Sequence, residues 1–271
     1  MAYWIAVAIG SVTCVVLCTA ARRRPGRWTG WAGRAIAIVL VADALAFVTV
    51  PPDGGRWSVQ TSLPLVLCDV AVAVAALACW QPSWYVAVEL TYFWGLAGTP
   101  QAVATPDLSA GFPSLEFFEF VVGHLAIVAA ALFLVIGLRL RPRPGAVPRV
   151  IAITAAYTAF VGVVDWLTGA NYMFLRAIPS HHSLLSVLGP WPWYIASATG
   201  VAIALFVILD APFHLHRPLR PTPARGPRPG TPGPRPRAGT EEVGTTAEPG
   251  PTTPPGEYSD AASQPRRSGE H

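Results

Sequence analysis

The chain has 271 residues, of which 52% are hydrophobic and only 13% are charged. Soluble domains carry about 25% charged residues, so this composition is typical of a membrane protein. All 19 basic residues are arginines, and they fall in loops and in a Pro-rich tail rather than along one helix face. This distribution argues against nucleic-acid binding, although the formal net charge is +4.

Seven apolar segments follow one another along the chain, and each is close to the ~20 residues that a bilayer-spanning helix needs. We therefore predict an all-α, polytopic membrane protein. Its seven transmembrane helices are expected at about residues 2–20, 35–50, 63–80, 84–98, 114–138, 147–167 and 193–209. The first segment has no basic region before it, so we interpret it as an anchor and not as a cleaved signal.

The distribution of arginines predicts the orientation, because the cytoplasmic loops of membrane proteins are enriched in basic residues. The first loop holds five of the 19 arginines, the fifth loop holds four, and the tail holds eight. If these three regions are cytoplasmic, the N-terminus lies outside and the C-terminus inside. We expect the chain to reside in the cell (plasma) membrane. A protein with six spans would break the alternation of arginine-rich loops inside and arginine-poor loops outside.

The sequence divides into two regions of different composition. Residues 1–210 contain the seven apolar segments and are predicted to form the transmembrane domain. Residues 211–271 consist largely of Pro, Gly, Arg, Thr and acidic residues, which cannot bury enough apolar surface to fold. We predict a disordered cytoplasmic tail, whose basic first part is expected to lie against anionic lipid.

Polar and ionisable side chains within the apolar segments are costly in a bilayer and therefore mark candidate sites. With the predicted orientation most of them gather in the outer half, which predicts a polar cavity that opens outward. Glu89 and Asp43 are exceptions, nearer the middle or the inner half. The candidate residues are Cys68, Asp69, Gln101, Glu116, Glu119, His124, Asp165, Asn171 and Tyr172.

Structural explanations are available for several of these residues. A single cysteine in an apolar segment is more often a packing residue than a nucleophile. Glu116 and Glu119 lie near the interface, where side chains reach water by snorkelling, and Asp165 is in a position to cap a helix. The adjacent residues His181 and His182 are a weak signal for a metal site. We expect no metal and no cofactor.

Several short motifs occur in a fixed order. They are Leu63–Asp69, Trp94–Ala102, Thr105–Asp107, Phe112–Pro113, His124, Asn171–Leu175, Pro179 and Gly189–Tyr194. Together they resemble the YwaF-like bacterial integral membrane proteins (a conserved hypothetical family), which are similar to the eukaryotic transmembrane-protein-164 acyltransferases. The resemblance covers about residues 63–209. Family members often carry a polar residue, commonly His, where this chain has Val66.

The resemblance implies a seven-span enzyme that acylates lysophospholipids with a cysteine of the third span and a histidine of a later span. These positions match Cys68 and His124. A thiol attacks a carbonyl as the thiolate, so His124 would act as the base and an acyl-thioester would form at Cys68. The acyl group would then pass to a lysolipid or to water. Membrane lipids are therefore the expected partners.

The remaining candidates have supporting roles in this scheme. Glu119 or Asp165 would orient the imidazole, and Asp69 is expected to support the site without contacting His124 directly. The candidate donors to an oxyanion are Gln101, Asn171 and Tyr172.

A non-enzymatic function is the alternative. A seven-span protein could be a receptor or a small-molecule or proton-coupled carrier, with its ligand site formed by Glu116, Glu119, His124 and Asp165. Retinal Schiff-base chemistry is excluded, because the chain has no lysine. We detect no internal repeat, which disfavours a secondary transporter.

Overall fold

The computed structural model describes residues 1–49, 56–106, 111–178 and 187–215. Within these ranges the chain is helical and has no β-strand. The α-helices are α1 (Ala2–Arg23), α2 (Arg27–Thr49), α3 (Leu67–Trp80), α4 (Tyr85–Ala97), α5 (Thr99–Ala104), α6 (Leu115–Leu132), α7 (Ala146–Thr168) and α8 (Trp193–Leu215). A π-helical turn (Phe133–Gly137) continues α6, and a 3-10 turn (Tyr172–Phe174) follows α7.

The long helices alternate in direction, which gives the bundle two distinct ends. At one end, Arg22 of α1 donates a hydrogen bond to the carbonyl of Ile136 at the end of the π-helical turn. At the other, the hydroxyl of Tyr3 donates to the carbonyl of Val103 in α5. The first end also carries the α1–α2 turn and the α6–α7 connection, and we call it the arginine-rich end. The other is called the opposite end.

The core is formed mainly by α3, α4 and α6. Small residues of α3, such as the fully buried Ala75, allow it to pack closely against α2 and α4. Helix α4 approaches α6 at Gly95, where an added methyl group would lie 3.0 Å from Ile127 Cγ2 and 3.3 Å from Ala131 Cβ. Small residues at such contacts are typical of membrane helices, which associate through close packing.

Five helices are long and apolar enough to cross a bilayer, namely α1, α2, α6 with its π-helical turn, α7 and α8. Helices α3 and α4 have 14 and 13 residues. They extend about 20 Å at 1.5 Å per residue, which is less than the ~30 Å hydrocarbon core. The structure thus confirms a helical membrane protein with several spanning helices. Seven complete spans and the outside N-terminus stay predictions.

Three predicted helix boundaries differ from the structure by four positions or more. Helix α2 begins at Arg27, eight positions before the predicted start at residue 35. Helix α3 begins at Leu67 rather than at Leu63, because Pro64 and long-range hydrogen bonds hold the preceding backbone in a non-helical conformation. Helix α8 continues to Leu215, beyond the predicted end at 209 and the predicted domain boundary at 210.

Several predictions fall outside the described residues. The predicted disorder of the tail from residue 216 onward and its contact with anionic lipid are two of them. The others concern the residues Asp107, Pro179, His181 and His182.

Candidate functional site

Cys68 lies in the first turn of α3, at the opposite end of the bundle. Val66 is the N-cap residue of this helix and has extended backbone angles, so Leu67, Cys68 and Asp69 occupy the first helical positions. The thiol is free and half-buried. The carboxylate of Asp69 accepts a hydrogen bond from the N–H of Val66 at 3.2 Å, which closes the first turn. Asp69 therefore supports the local backbone around Cys68.

The backbone N–H groups nearest the thiol belong to the first turn of α3. The N–H groups of Asp69 and Val70 donate to the carbonyl of Val66 at 3.0 and 3.4 Å. Within the described part of the chain, the N–H groups of Leu67 and Cys68 have no acceptor. Both belong to the first helical turn, where N–H groups point out of the helix and carry the positive end of its dipole.

His124 lies in the third turn of α6, a helix that Ser114 caps by accepting a hydrogen bond from Phe117 N–H at 3.1 Å. Its Nδ1 lies 2.7 Å from the carbonyl oxygen of Phe120, and the ring stacks on that of Phe120 with the centroids 4.2 Å apart. A carbonyl oxygen only accepts, so Nδ1 carries the hydrogen. In the neutral ring Nε2 is then the unprotonated nitrogen that can act as a base.

The helices that carry Cys68 and His124 pack against each other, and α2 packs against both. The carboxylate of Asp43 in α2 contacts α6 so closely that a methyl group at Gly123 would overlap its Oδ2 atom. Asp43 also lies within electrostatic range of Asp69 and Glu119. These contacts bring the first turn of α3 level with residues 119–123 of α6, next to His124.

No hydrogen bond joins Cys68 to His124 in the described residues, and the imidazole is hydrogen-bonded to its own helix at Phe120. A direct proton transfer between the two side chains therefore requires them to move closer, as catalytic groups often do when a substrate binds.

The structure brings three carboxylates together at this level, those of Asp43, Asp69 and Glu119. Asp43 was predicted nearer the middle or the inner half, from a second helix that starts at residue 35. Since α2 begins at Arg27, Asp43 is 16 positions further on, or about 24 Å along the helix. Its depth in the bilayer stays a prediction.

Asp165 and Tyr172 have structural partners. The buried carboxylate of Asp165 accepts a hydrogen bond from the N–H of Tyr172 at 2.9 Å. The Tyr172 hydroxyl donates to the carbonyl of Val59 at 2.8 Å and accepts from the N–H of Leu63 at 2.9 Å. Burial raises the pKa of this phenol. Both residues therefore fix the non-helical segment that leads to Cys68.

The other predicted donors are also engaged with the backbone. The amide nitrogen of Gln101 donates to the carbonyl of Ala97 at 2.7 Å. The Asn171 side chain donates to the carbonyl of Ala177 and accepts from the N–H groups of Arg176 and Ala177. Glu116 is exposed in the first turn of α6. The structure thus gives Gln101 and Asn171 partners in the nearby backbone, and their role as oxyanion donors stays a prediction.

Two cavities of the structure lie at the arginine-rich end, and neither is lined by a candidate residue. The outward-opening polar cavity around Cys68 stays a prediction. No group of three or more His, Cys, Asp or Glu side chains in the described ranges could hold a metal ion.

A family model described as "TMEM164 family" matches residues 1–210. This match confirms the predicted relation to the transmembrane-protein-164 family, whereas the likeness to the YwaF-like bacterial proteins stays a prediction. No curated protein and no solved structure matches the chain.

Proposed function

Because the chain belongs to the TMEM164 family, we propose that it transfers or hydrolyses the acyl group of a membrane lipid. Cys68 is the nucleophile in this proposal and His124 is the general base. The observation that supports it most is the first turn of α3, where the thiol lies beside the free N–H groups of Leu67 and Cys68. Such donors stabilise the negative charge that develops on a carbonyl oxygen under attack.

The first half of the reaction forms a thioester. Nε2 of His124 takes the proton of the Cys68 thiol, and the sulfur attacks the carbonyl carbon of the donor ester. The oxyanion is held by the N–H groups of α3. When the tetrahedral intermediate collapses, the bond to the alcohol oxygen breaks, and the imidazolium returns the proton to the departing lysolipid.

The second half regenerates the thiol. His124 removes a proton from the hydroxyl of a lysophospholipid, or from water, and the resulting oxygen nucleophile attacks the thioester. Sulfur leaves and recovers the proton from His124. Transfer to a lysophospholipid makes the protein an acyltransferase, and transfer to water makes it an acyl hydrolase. By the arginine distribution, this chemistry takes place in the outer half of the plasma membrane.

Val66 has a specific consequence for this proposal. A polar side chain at the N-cap position would accept a hydrogen bond from an N–H group of the first helical turn. The Val66 side chain has no acceptor atom, and it is 39% exposed. The N–H groups of Leu67 and Cys68 thus remain available to the substrate.

The proposal is tested by incubating the purified full-length protein in detergent with a phospholipid that carries a fluorescent acyl chain. We expect a hydroxylamine-sensitive acyl adduct in the wild type and its loss in Cys68→Ala. In His124→Gln the adduct should form about 10²- to 10⁴-fold more slowly, which is the usual contribution of a general base. Cys79→Ala is the matched control, because Cys79 is a buried cysteine of the same helix. Undiminished labelling of Cys68→Ala would exclude the proposal.

The carboxylates of Asp43, Asp69 and Glu119 support a second candidate function, a proton or cation carrier. All three are half-buried, and acidic side chains inside a membrane protein are a common element of ion pathways. Comparing a deletion strain with its parent distinguishes the two functions. An altered acyl pattern in one phospholipid class supports the enzyme, and an unchanged lipid composition with altered cation or proton uptake supports the carrier.

A further inference from the structure

The larger of the two cavities, with a volume of about 470 Å³, opens at the arginine-rich end between α1, α4, the end of α6 and α8. One side of it is cationic and is formed by Arg22, Arg139 and Arg141. The other side is mainly apolar and includes Leu96, Leu132 and Ile136. We propose that this cavity binds an anionic phospholipid of the adjoining leaflet, with its phosphate at the arginines and an acyl chain along the apolar side.

No carboxylate of the described residues pairs with the arginines at the cavity. In the described residues, Glu89 is paired with two arginines of the same connection, Arg143 at 2.9 Å and Arg149 at 2.6 Å. No ion pair is present for Arg22, Arg139 or Arg141 in the same part of the chain. The Arg-bearing side of this cavity is therefore suited to an anion that comes from outside the protein.

Backbone hydrogen bonds hold two of these arginines in position. Arg22 Nη1 donates to the carbonyl of Ile136 at 3.4 Å, and Arg139 Nη2 donates to the carbonyl of Arg22 at 3.3 Å. Each guanidinium has five N–H donors, so most of them remain available to phosphate oxygens. The side chains are thus ordered before the anion binds, which lowers the entropic cost of binding.

An unusual backbone creates this arrangement. The end of α6 widens into the π-helical turn, and Arg139, just after it, has a φ of 59°. A non-glycine residue in the left-handed region carries backbone strain, and such residues are found preferentially at ligand sites. Here the left-handed turn redirects the chain, so that Arg139 and Arg141 line the same cavity.

One carboxylate lies near the proposed site. Asp210 lines an adjoining cavity of about 100 Å³ together with Arg141, and its Oδ2 is 2.7 Å from Nε2 of His214. Asp210 is absent from the lining of the larger cavity.

A lipid fits this cavity better than a free phosphate ion does. Leu96 and Leu132 line it at some distance from the helix ends that carry the arginines, so that a charged mouth continues into an apolar part. Inorganic phosphate would leave that apolar surface uncovered. A bilayer lipid satisfies both parts, because its phosphate lies at the interface and its chains lie within the hydrocarbon region.

The test uses the purified full-length protein in neutral detergent and records its thermal unfolding with added phosphatidylglycerol, phosphatidylcholine or inorganic phosphate. We expect phosphatidylglycerol alone to raise the unfolding temperature. In the double variant Arg139→Gln/Arg141→Gln, its apparent affinity should fall about tenfold for each arginine. The matched control is Arg23→Gln/Arg24→Gln, because these exposed arginines do not line the cavity.

Two results would overturn the proposal. One is an equal loss of affinity in the control, and the other is an equal effect of inorganic phosphate, which would identify a simple anion site. If the double variant fails to fold, the variant Ile136→Trp tests the proposal in its place. Ile136 is 42% exposed, so a larger side chain there fills the cavity with the arginines intact, and it should abolish the phosphatidylglycerol effect. Cys68→Ala should keep that effect, which separates this site from the proposed reaction.

Discussion

At the scale of single residues, the polar groups of the opposite end divide into two kinds. Asp165, Asn171 and Tyr172 are hydrogen-bonded to backbone groups and hold a loop together. Cys68 and the N–H groups beside it have no such partner in the described residues. A site that reacts with a ligand needs groups of the second kind, which is why Cys68 is the centre of the proposed function.

Replacing Tyr172 with Phe tests the importance of the segment before Cys68. The change removes a hydroxyl with two backbone partners, Val59 and Leu63, and leaves a half-buried N–H and a half-buried carbonyl unsatisfied. We expect a loss of about 2–3 kcal/mol in the free energy of unfolding and a slower reaction at Cys68. Thermal or denaturant unfolding in detergent measures the first effect, and the acyl-adduct assay measures the second.

Tyr157→Phe is the control for that variant. Its hydroxyl donates only to the carbonyl of Leu65, at 2.8 Å, so its removal should cost about 1 kcal/mol. Equal losses in the two variants would contradict the idea that Tyr172 is the main support of this segment.

Which polar residues are structural could not be deduced from the sequence. The sequence identifies Asp165 and Tyr172 as polar residues in an apolar surrounding, but their partners are 7 and 109 positions away. Such pairings depend on how the helices pack. Cys68 and His124 were predicted as polar residues of apolar segments and were singled out by the family resemblance, whereas their position in adjacent helices followed only from the structure.

At the scale of helices, close packing and the two ion pairs of the buried Glu89 connect the elements. The start of α6 was predictable, since Ser114 followed by a long apolar run is a typical helix beginning. The start of α3 was not predictable to the same precision, because hydrogen bonds with Tyr157 and Tyr172 compete with helix formation before Leu67. Local sequence patterns contain no information about such distant partners.

Gly95→Ala tests the contact between α4 and α6. The new methyl group would lie 3.0 Å from Ile127 Cγ2 and 3.3 Å from Ala131 Cβ, so the helices must move apart. We predict a loss of about 1–3 kcal/mol in stability, which is typical of overpacking. Gly200→Ala is the matched control in another helix, because nothing lies within 4 Å of its added methyl group. A melting temperature of Gly95→Ala equal to that of the control would show that the α4–α6 contact is looser than described.

Glu89→Gln tests the connection of α4 to the start of α7. Glu89 is 1% exposed and is paired with both Arg143 and Arg149. Removing its charge leaves two arginines, 40% and 32% exposed, without their counter-ion, at a cost of about 2 kcal/mol. In Asp210→Asn, which breaks a more exposed pair with His214, the cost should stay below about 1 kcal/mol. Unfolding curves of the two variants measure both losses, and equal losses would contradict the larger contribution of Glu89 to stability.

At the scale of the whole molecule, charge and polarity are separated between the two ends. The arginine-rich end carries the proposed lipid cavity, and the opposite end carries Cys68 and the three carboxylates. Composition alone predicted a helical membrane protein, which the helices confirm. It could not predict that α3 would be only 14 residues long, since its apolar run begins in the non-helical segment before Leu67, whereas the 13 residues of α4 lie within the predicted 84–98.

The predicted orientation is testable with single cysteines in a protein whose four native cysteines are replaced. A cysteine at Gln60, which is exposed at the opposite end, should react with a membrane-impermeant maleimide on intact cells. A cysteine at Arg24, which is exposed at the arginine-rich end, should react only after the cells are opened. The reverse pattern would mean that the proposed acyl chemistry faces the cytoplasm.

The pairing of Glu89 also has a consequence for how the protein is made. The two arginines that neutralise this carboxylate follow it by 54 and 60 positions along the chain. During synthesis, α4 therefore emerges with an acidic group whose counter-ions have not yet been translated, and a bare carboxylate is unfavourable in hydrocarbon. Stable integration of the short α3–α4 hairpin must then wait until the connection after α6 has left the ribosome. Its assembly in the bilayer is thus a late and cooperative step, set by the order in which the charges are synthesised.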